Sequence, residues 1–249
     1  NLNKMKTTTA LQLVIFTFLL CYHSSVFGQL KGIGMNGGGT SSSFEYGNQI
    51  KKIDGFDNDS QQGGTGGLKL DFSLGGSEAF SFSPEIFIVQ NGSNEYYRDF
   101  SRLQNDLIKR EVELNYVGLY LPFMIYVAID EQFPNGEYAT DYTYHGIILQ
   151  AKFFADYVVG GEMSEKGAKS NISLGSQEIN FDKTSDKIDF GFSAEAGLAY
   201  LGWTIIFGYN WGVKNIEFNN ALGYSGSSAD YLINNKGLTL QLGYLHNLD

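Results

Sequence analysis

Carboxylates and lysines that recur in short alternating segments are the first candidates for chemistry in this 249-residue chain. Two carboxylates can divide acid and base roles between them, and Glu85, Glu113 and Glu195 are candidates for such a pair. Lysines are interleaved with them in neighbouring segments, a pattern more typical of structural ion pairs. We therefore expect a structural charge network formed by Lys69, Asp71, Glu85, Glu113, Lys152, Asp156, Asp189, Glu195 and Lys214.

Two histidines, His145 and His246, are the remaining candidates for a catalytic base beyond the amino-terminal segment. A serine activated by either histidine could hydrolyse an ester. Neither histidine stands in a recognisable catalytic motif, and an interfacial polar residue is the commoner role for such positions. The sequence therefore predicts no catalytic residue and no enzymatic activity.

Oxygen-rich and glycine-rich segments are the candidates for metal or phosphate binding. Asp54, Asp57 and Asp59 are closely spaced oxygen ligands, but the glycine and final glutamate of a calcium loop are not at the required offsets. The glycine-rich stretches 34–39 and 63–67 do not open a helix, so a phosphate cradle is not expected. We predict no metal and no cofactor.

The amino-terminal segment has the pattern of an export signal. Lys4 and Lys6 precede an apolar run over residues 10–21, and small residues follow at a cleavage site before Gln29. This pattern predicts a signal peptide over residues 1–28 that is removed after export. Residues 1–4, which precede Met5, are interpreted as upstream translation.

The exported chain, residues 29–249, has the length of one domain. It contains no cysteine, because Cys21 is the only one, so disulfides and thiol chemistry are not expected. The formal net charge is −10, and the leader contains two of the 17 Lys+Arg and no Asp or Glu, so the exported chain is more acidic still. A strongly acidic chain is not expected to bind nucleic acid.

Strict alternation of apolar and polar residues is the main structural signal. It extends over residues 188–200 and recurs over 203–213 and 238–244, where one face of each segment is almost continuously apolar with aromatic residues at its ends. A period of two predicts strands, and a greasy, aromatic-tipped face indicates contact with lipid. No segment after the leader has the roughly 18 consecutive apolar residues of a membrane helix.

The alternation predicts an all-β fold, an eight-stranded antiparallel up-and-down transmembrane β-barrel. Four long connections, Gly38–Gly64, Asn91–Arg110, Gly161–Asp186 and Glu217–Asn234, alternate with shorter ones. We therefore expect the long loops outside the cell and both termini in the periplasm. The eight strands are predicted at about residues 29–37, 65–75, 80–90, 111–128, 143–160, 187–200, 203–216 and 235–247.

The predicted lumen contains charges of both signs, and a ring of eight strands is only wide enough to be filled by side chains. We therefore expect a plug rather than a pore. The fourth strand fits worst, because Val117, Leu119 and Leu121 share the face of Glu113 and Asn115. Either a bulge or an apolar layer in the lumen is needed there.

Five segments, taken in order, carry a resemblance to a known family. They are Ser83–Ile88, Asn115–Pro122, Asp189–Phe192, Tyr209–Ile216 and Leu242–Tyr244. They resemble the third, fourth, sixth, seventh and eighth strands of the PorT-like outer-membrane β-barrel family. Gly208 stands where the seventh strand of that family often has arginine. The resemblance implies an outer-membrane location and, through the family's namesake, a link to a secretion apparatus of Gram-negative bacteria.

The combined expectation is a small closed outer-membrane barrel, a monomer in contact with outer-membrane lipids, which serves as a structural or interaction protein of the cell envelope. Another envelope or secretion protein is its expected partner. One alternative is a soluble exported barrel that holds an apolar ligand, as lipocalins do, with its greasy faces turned inward. The other is a lipid-modifying enzyme with a nucleophile and a base on one rim.

Overall fold

The computed structural model describes residues 30–46, 56–74, 77–98, 107–128, 145–169, 172–179, 187–213, 216–218 and 231–248. The predicted signal peptide and Lys214 lie outside these residues. No helix in the described ranges has the length and apolar character needed to cross a membrane. The strands are β1 (Leu30–Tyr46), β2 (Asp57–Leu74), β3 (Ser77–Phe82), β4 (Glu85–Tyr97), β5 (Ile108–Ala128), β6 (Gly146–Gly167), β7 (Ser173–Glu178), β8 (Ile188–Tyr200), β9 (Trp203–Gly212), β10 (Ile216–Phe218) and β11 (Tyr231–Asn247).

The long strands pair in an antiparallel ring. Going round the ring, β1 pairs with β2, β2 with β4, β4 with β5, β5 with β6, β6 with β8, β8 with β9 and β9 with β11. The first and last strands also pair, from Gly32 opposite Asn247 to Tyr46 opposite Ile233. This pairing satisfies the edges that an open sheet would leave exposed. The predicted fold class, an eight-stranded up-and-down barrel, is confirmed.

The predicted third strand is divided in two. Ser83 and Pro84 separate β3 from β4, because proline has no N–H to donate to a ladder. The sheet continues across the break: the Ser83 amide donates to the Pro122 carbonyl, and the Leu70 amide donates to the Pro84 carbonyl, each at 3.1 Å. Together β3 and β4 occupy one place in the ring.

The start of β1, the end of β11 and a tight turn lie at the same end of the barrel, which we name the turn end. Leu201 and Gly202, at φ 51° and 81°, join β8 to β9 in a turn that requires two positive φ values. The Gly202 carbonyl accepts a hydrogen bond from the Leu245 amide, and the Leu248 amide donates to the Lys31 carbonyl. The opposite end is named the loop end.

The strands extend further toward the loop end than the sequence pattern predicts. β1 continues to Tyr46, where the prediction ended at residue 37, and β2 begins at Asp57 instead of residue 65. Ser42 pairs with Gln61, so much of the predicted Gly38–Gly64 loop is paired strand. Beyond the apolar band both faces of a strand are polar, so the period-two signal disappears while backbone pairing continues.

A band of apolar side chains covers the outside of the barrel. Its most exposed members include Met35, Leu68, Ile88, Phe153, Leu198, Trp203, Ile205, Phe207, Leu240 and Leu242. A water-soluble monomer rarely exposes so large an apolar surface, and the band is the expected lipid-facing surface of a membrane barrel. The lipocalin-like alternative needs these faces turned inward, and the structure contradicts it.

Strand β5 corrects the predicted parity of the fourth strand. Val112, Leu114 and Tyr116 are fully buried in the interior, whereas Glu113 and Asn115 are on the outward face. Val117 is also exposed outward, so β5 keeps one phase throughout. A residue that faces outward beyond the apolar band contacts water. A carboxylate such as Glu113 can therefore share the outward face with the apolar residues that contact lipid nearer the turn end. The lumen does contain an apolar layer, but Val112 and Leu114 form it.

Candidate functional site

The interior of the barrel is the candidate site, because the predicted charge network belongs there. The structure places seven of the nine predicted residues in the interior, each no more than 6% exposed: Lys69, Asp71, Glu85, Lys152, Asp156, Asp189 and Glu195. Glu113 departs from the prediction and lies on the outward face. Lys214 lies outside the part of the chain that the structure describes.

An ion pair between Lys152 on β6 and Glu195 on β8 lies at the centre of the lumen. The Lys152 ammonium contacts Glu195 Oε1, and both side chains are buried. Gln150 donates a hydrogen bond to the other oxygen of the carboxylate, and the Ser193 hydroxyl donates to Oε1 at 2.9 Å. Glu195 is therefore held by a cation and two neutral donors, which is the arrangement a buried charge needs.

Two further buried carboxylates lie on the neighbouring wall. Glu85 Oε1 accepts a hydrogen bond from the Asn36 side chain at 3.3 Å. Asp71 accepts a hydrogen bond from the Ser83 hydroxyl. The first contact links β1 to β4 across the lumen, and the second links β2 to the break between β3 and β4.

Aromatic rings fill the middle of the lumen beside the ion pair. Phe87 stacks on Tyr120 with ring centroids 5.0 Å apart, and Phe154 packs against Tyr120 at 5.7 Å. The Lys152 ammonium lies 5.2 Å from the centroid of the Tyr120 ring, close enough for a cation–π interaction. Three large rings and a buried ion pair leave little cross-section for water in a ring of eight strands.

Glycines lie opposite two of the interior carboxylates and, having no side chain, leave the space that the carboxylates occupy. Gly208 is directly opposite Glu195, and a Cβ at Gly208 would lie 2.5 Å from Glu195 Cγ. Gly118 is opposite Asp156, and a Cβ there would lie 1.9 Å from Asp156 Oδ1. An arginine at position 208, as the PorT-like pattern often has, would compete with Glu195 for the same space.

A second polar cluster, the upper cluster, lies in the lumen on the loop-end side of the apolar layer. It consists of Arg110, Glu95, Glu165 and Tyr97. Arg110 Nη2 lies 2.5 Å from Glu165 Oε1, and Arg110 Nη1 lies 3.6 Å from Glu95 Oε2. The Tyr97 hydroxyl donates to Glu165 Oε1 at 2.7 Å. Glu95 and Arg110 are both buried.

Sequence reasoning missed the upper cluster because it ended the strands too early. Glu95 and Tyr97 continue the inward parity that begins at Glu85 and Phe87. Arg110 continues the inward parity of β5 beyond its predicted start at residue 111. These residues could have been found by continuing the inward–outward alternation of each strand past the end of its apolar segment.

The outward face near the loop end carries its own polar contacts. Glu113 accepts hydrogen bonds from the side chains of Gln61, at 2.7 Å, and Gln90, at 2.9 Å. Glu111 accepts from Lys109 at 2.7 Å and pairs with Lys166 at 2.9 Å. The hydrogen bonds from the two lysines lower the pKa of Glu111. These residues stabilise the part of the sheet that projects beyond the lipid band.

The two histidines lie at the turn end. The His145 ring stacks on Tyr200, with centroids 4.3 Å apart. His246 is exposed on β11, where it pairs with Ile33. Trp203 and Tyr244 pack together at the same end, with centroids 5.0 Å apart. Rings with polar atoms at a strand end are typical of the membrane interface.

The predicted acidic loop is only partly described. Asp54 lies outside the described residues, and Asp57 and Asp59 are exposed near the loop end of β2. Asp57 Oδ1 accepts a hydrogen bond from the Asn58 amide at 2.9 Å. No group of three or more His, Cys, Asp or Glu residues in the described ranges could hold a metal ion.

Comparisons with known proteins come from structure alone. No family model and no curated protein matches the chain. The resemblance to the PorT-like family therefore stays a prediction.

The fold is similar to solved structures of outer-membrane β-barrel proteins. Neisserial surface protein A has a TM-score of 0.36 and 9% identity, and the match covers 85% of this chain and 96% of that one. Ail of Yersinia pestis has a TM-score of 0.36 and 12% identity, covering 87% and 100%. OprG of Pseudomonas aeruginosa has a TM-score of 0.41 and 9% identity, covering 90% and 100%. With TM-scores below 0.5, the fold assignment rests on the strand pairing itself.

Proposed function

We propose that this protein is a small closed outer-membrane β-barrel that acts as a structural or interaction protein of the Gram-negative envelope, and is neither a pore nor an enzyme. The observation that carries the proposal is the filled lumen: Phe87, Tyr120 and Phe154 pack together beside the buried Lys152–Glu195 pair. A closed ring of antiparallel strands with an outer apolar band is the arrangement of outer-membrane proteins.

The loop end is the proposed interaction surface. There the paired strands project beyond the apolar band, and they expose polar residues such as Asp59, Ser60 and Ser176. A rigid sheet that presents polar side chains to water can bind another envelope protein. The PorT-like resemblance suggests a secretion component as that partner, with the barrel itself a monomer.

Conductance in planar lipid bilayers tests the plug. Pure wild-type protein is expected to insert without producing current steps, because the aromatic layer and the ion pair block the lumen. The triple variant F87A/Y120A/F154A, which removes the aromatic layer, is the matched comparison and should leak ions. Stable steps of nanosiemens size from the wild type would refute the plug and favour a pore.

Site-specific photo-crosslinking in cells tests the interaction surface. A photoreactive residue at Ser60 or Ser176 is expected to give a defined adduct with one envelope protein. The control position is Leu240, which faces lipid. If the loop-end positions give no adduct, or the same adducts as Leu240, the proposal of a loop-end partner is wrong.

A further inference from the structure

The inward face of β11 carries buried oxygen atoms that have no hydrogen-bond partner among the residues that the structure describes. Its inward positions from the loop end are Asn235, Gly237, Thr239, Gln241 and Gly243. The three side chains are each no more than 4% exposed. Asn235 Oδ1, Thr239 Oγ1 and Gln241 Oε1 all lack a partner. Such atoms are rare and costly in folded proteins, so every inward side chain of this segment calls for a ligand.

Two residues on the neighbouring strands extend this row. Asn36 on β1 and Thr204 on β9 both pair with Gly243. A Cβ at Gly243 would lie 2.5 Å from Asn36 Oδ1 and 2.6 Å from Thr204 Oγ1, so both oxygen atoms converge on the space in front of this glycine. Both atoms lack a partner within the described ranges, and neither residue is more than 8% exposed. We name the set the oxygen track: Asn36, Thr204, Asn235, Thr239 and Gln241.

The oxygen track crosses the lumen on the wall opposite the aromatic layer. Around the ring of strands, β11 lies four places from β5, which carries Tyr120, in either direction. The inward positions from Asn235 to Gly243 extend about 27 Å along β11, at about 3.3 Å per residue. Leu238 and Leu242, which alternate with them, are exposed on the lipid-facing surface. The oxygen track therefore lies inside the lipid band.

Water is the ligand that fits the oxygen track. Successive inward positions on a strand are about 6.6 Å apart, and hydrogen bonds to water are about 2.8 Å long, so one or two water molecules can bridge each interval. Amide oxygens only accept hydrogen bonds, whereas water donates two and also accepts. Buried water typically makes about three hydrogen bonds to polar groups that have no other partner. The oxygen track contains no carboxylate, so its composition favours a neutral ligand over a cation.

We propose that the oxygen track binds a file of buried water molecules that connects β11 to β1 and β9, where the ring of strands closes. Direct side-chain contacts link the other walls: the Lys152–Glu195 pair joins β6 to β8, and Tyr120 packs between Phe87 on β4 and Phe154 on β6. The bound water supplies the corresponding contacts among the first strand and the last two long strands. This site does not depend on the proposed interaction role.

The variants Thr204→Val and Thr239→Val test for bound water, because valine removes the hydroxyl and keeps nearly the same shape. If water binds these hydroxyls, each variant loses hydrogen bonds and should unfold in detergent at a lower urea concentration than the wild type. If the hydroxyls are dry, removing a buried group without a partner should raise the urea midpoint. Thr40→Val is the matched control: Thr40 Oγ1 donates to the Gln90 carbonyl at 2.8 Å, so its midpoint should fall in either case.

Nuclear magnetic resonance of the wild type in detergent micelles provides the second readout. Rotating-frame Overhauser cross-peaks between water and protein protons report proximity, and their sign distinguishes proximity from proton exchange. We expect such cross-peaks at the side-chain amide protons of Asn235 and Gln241, and none at the methyl groups of Leu114, which is fully buried in the apolar layer. This readout needs no substitution, so it decides the matter even if a valine variant fails to fold. Absence of the cross-peaks at Asn235 and Gln241, or a raised urea midpoint in both Thr204→Val and Thr239→Val, would overturn the water file.

Discussion

At the scale of single residues, the buried Lys152–Glu195 pair is expected to be sensitive to substitution. Lys152→Met leaves the buried Glu195 carboxylate without its cation, and removing one partner of a buried pair typically costs about 3–5 kcal/mol. The double variant K152M/E195Q removes both charges and should be markedly more stable than K152M. The stability of both variants is measured as the urea concentration at the midpoint of unfolding in detergent. Equal stability of the single and double variants would mean that the pair is not the source of the cost.

Gly208 provides a second residue-scale prediction. Gly208→Ala places a methyl group 2.5 Å from Glu195 Cγ, and overpacking of this kind typically costs about 1–3 kcal/mol. Gly64→Ala is the control, because a Cβ there meets nothing within 4 Å. The same urea measurement compares them. A Gly208→Ala barrel as stable as Gly64→Ala would show that Glu195 can move aside without cost.

At the scale of the strands, outward parity decides which positions tolerate charge. Arginine at Phe192 on β8 or Leu240 on β11 faces lipid and is expected to cost about 2–4 kcal/mol near the middle of the bilayer. Arginine at Gln62 is the control, since this exposed β2 residue lies beyond the apolar band. Folding yield into lipid vesicles measures the effect. Similar yields for all three variants would reject the assignment of the lipid-facing surface.

At the scale of the whole molecule, the orientation of the barrel is open to a labelling test. Residues 29–249, the predicted exported chain, contain no cysteine, so a single introduced cysteine is expected to be labelled without background. Cysteine at Ser60 or Ser176, exposed near the loop end, should react with a membrane-impermeant maleimide on intact cells. Cysteine at Ser77, the first residue of β3, should react only after the envelope is opened. The reverse labelling pattern would show that the barrel is inserted in the opposite orientation. The loop end would then face the periplasm and could not be the external interaction surface.

The sequence by itself determined the architecture, because every strand that crosses the membrane must present apolar side chains to lipid at every second residue. The alternation over residues 188–200 and 238–244 predicts one outward apolar face, and the structure exposes Phe192 and Leu240 there. It also buries Ser193 and Gln241, the polar residues between. A period-two pattern is local, so it can be followed along each strand without knowing its neighbours.

Only the tertiary structure decided which interior side chains contact each other and how far the strands extend beyond the apolar band. Beyond the apolar band both faces of a strand contact polar surroundings, so the sequence there does not alternate between apolar and polar residues. The pattern therefore did not predict that Glu113 faces outward, or that Glu95 and Arg110 face the lumen. The pairing of Asp156 with Asp189, and the space that Gly208 leaves for Glu195, depend on the register between strands. The hydrophobic pattern and the turns restrict the register, but the side chains that meet across two strands are known only once the strands are paired.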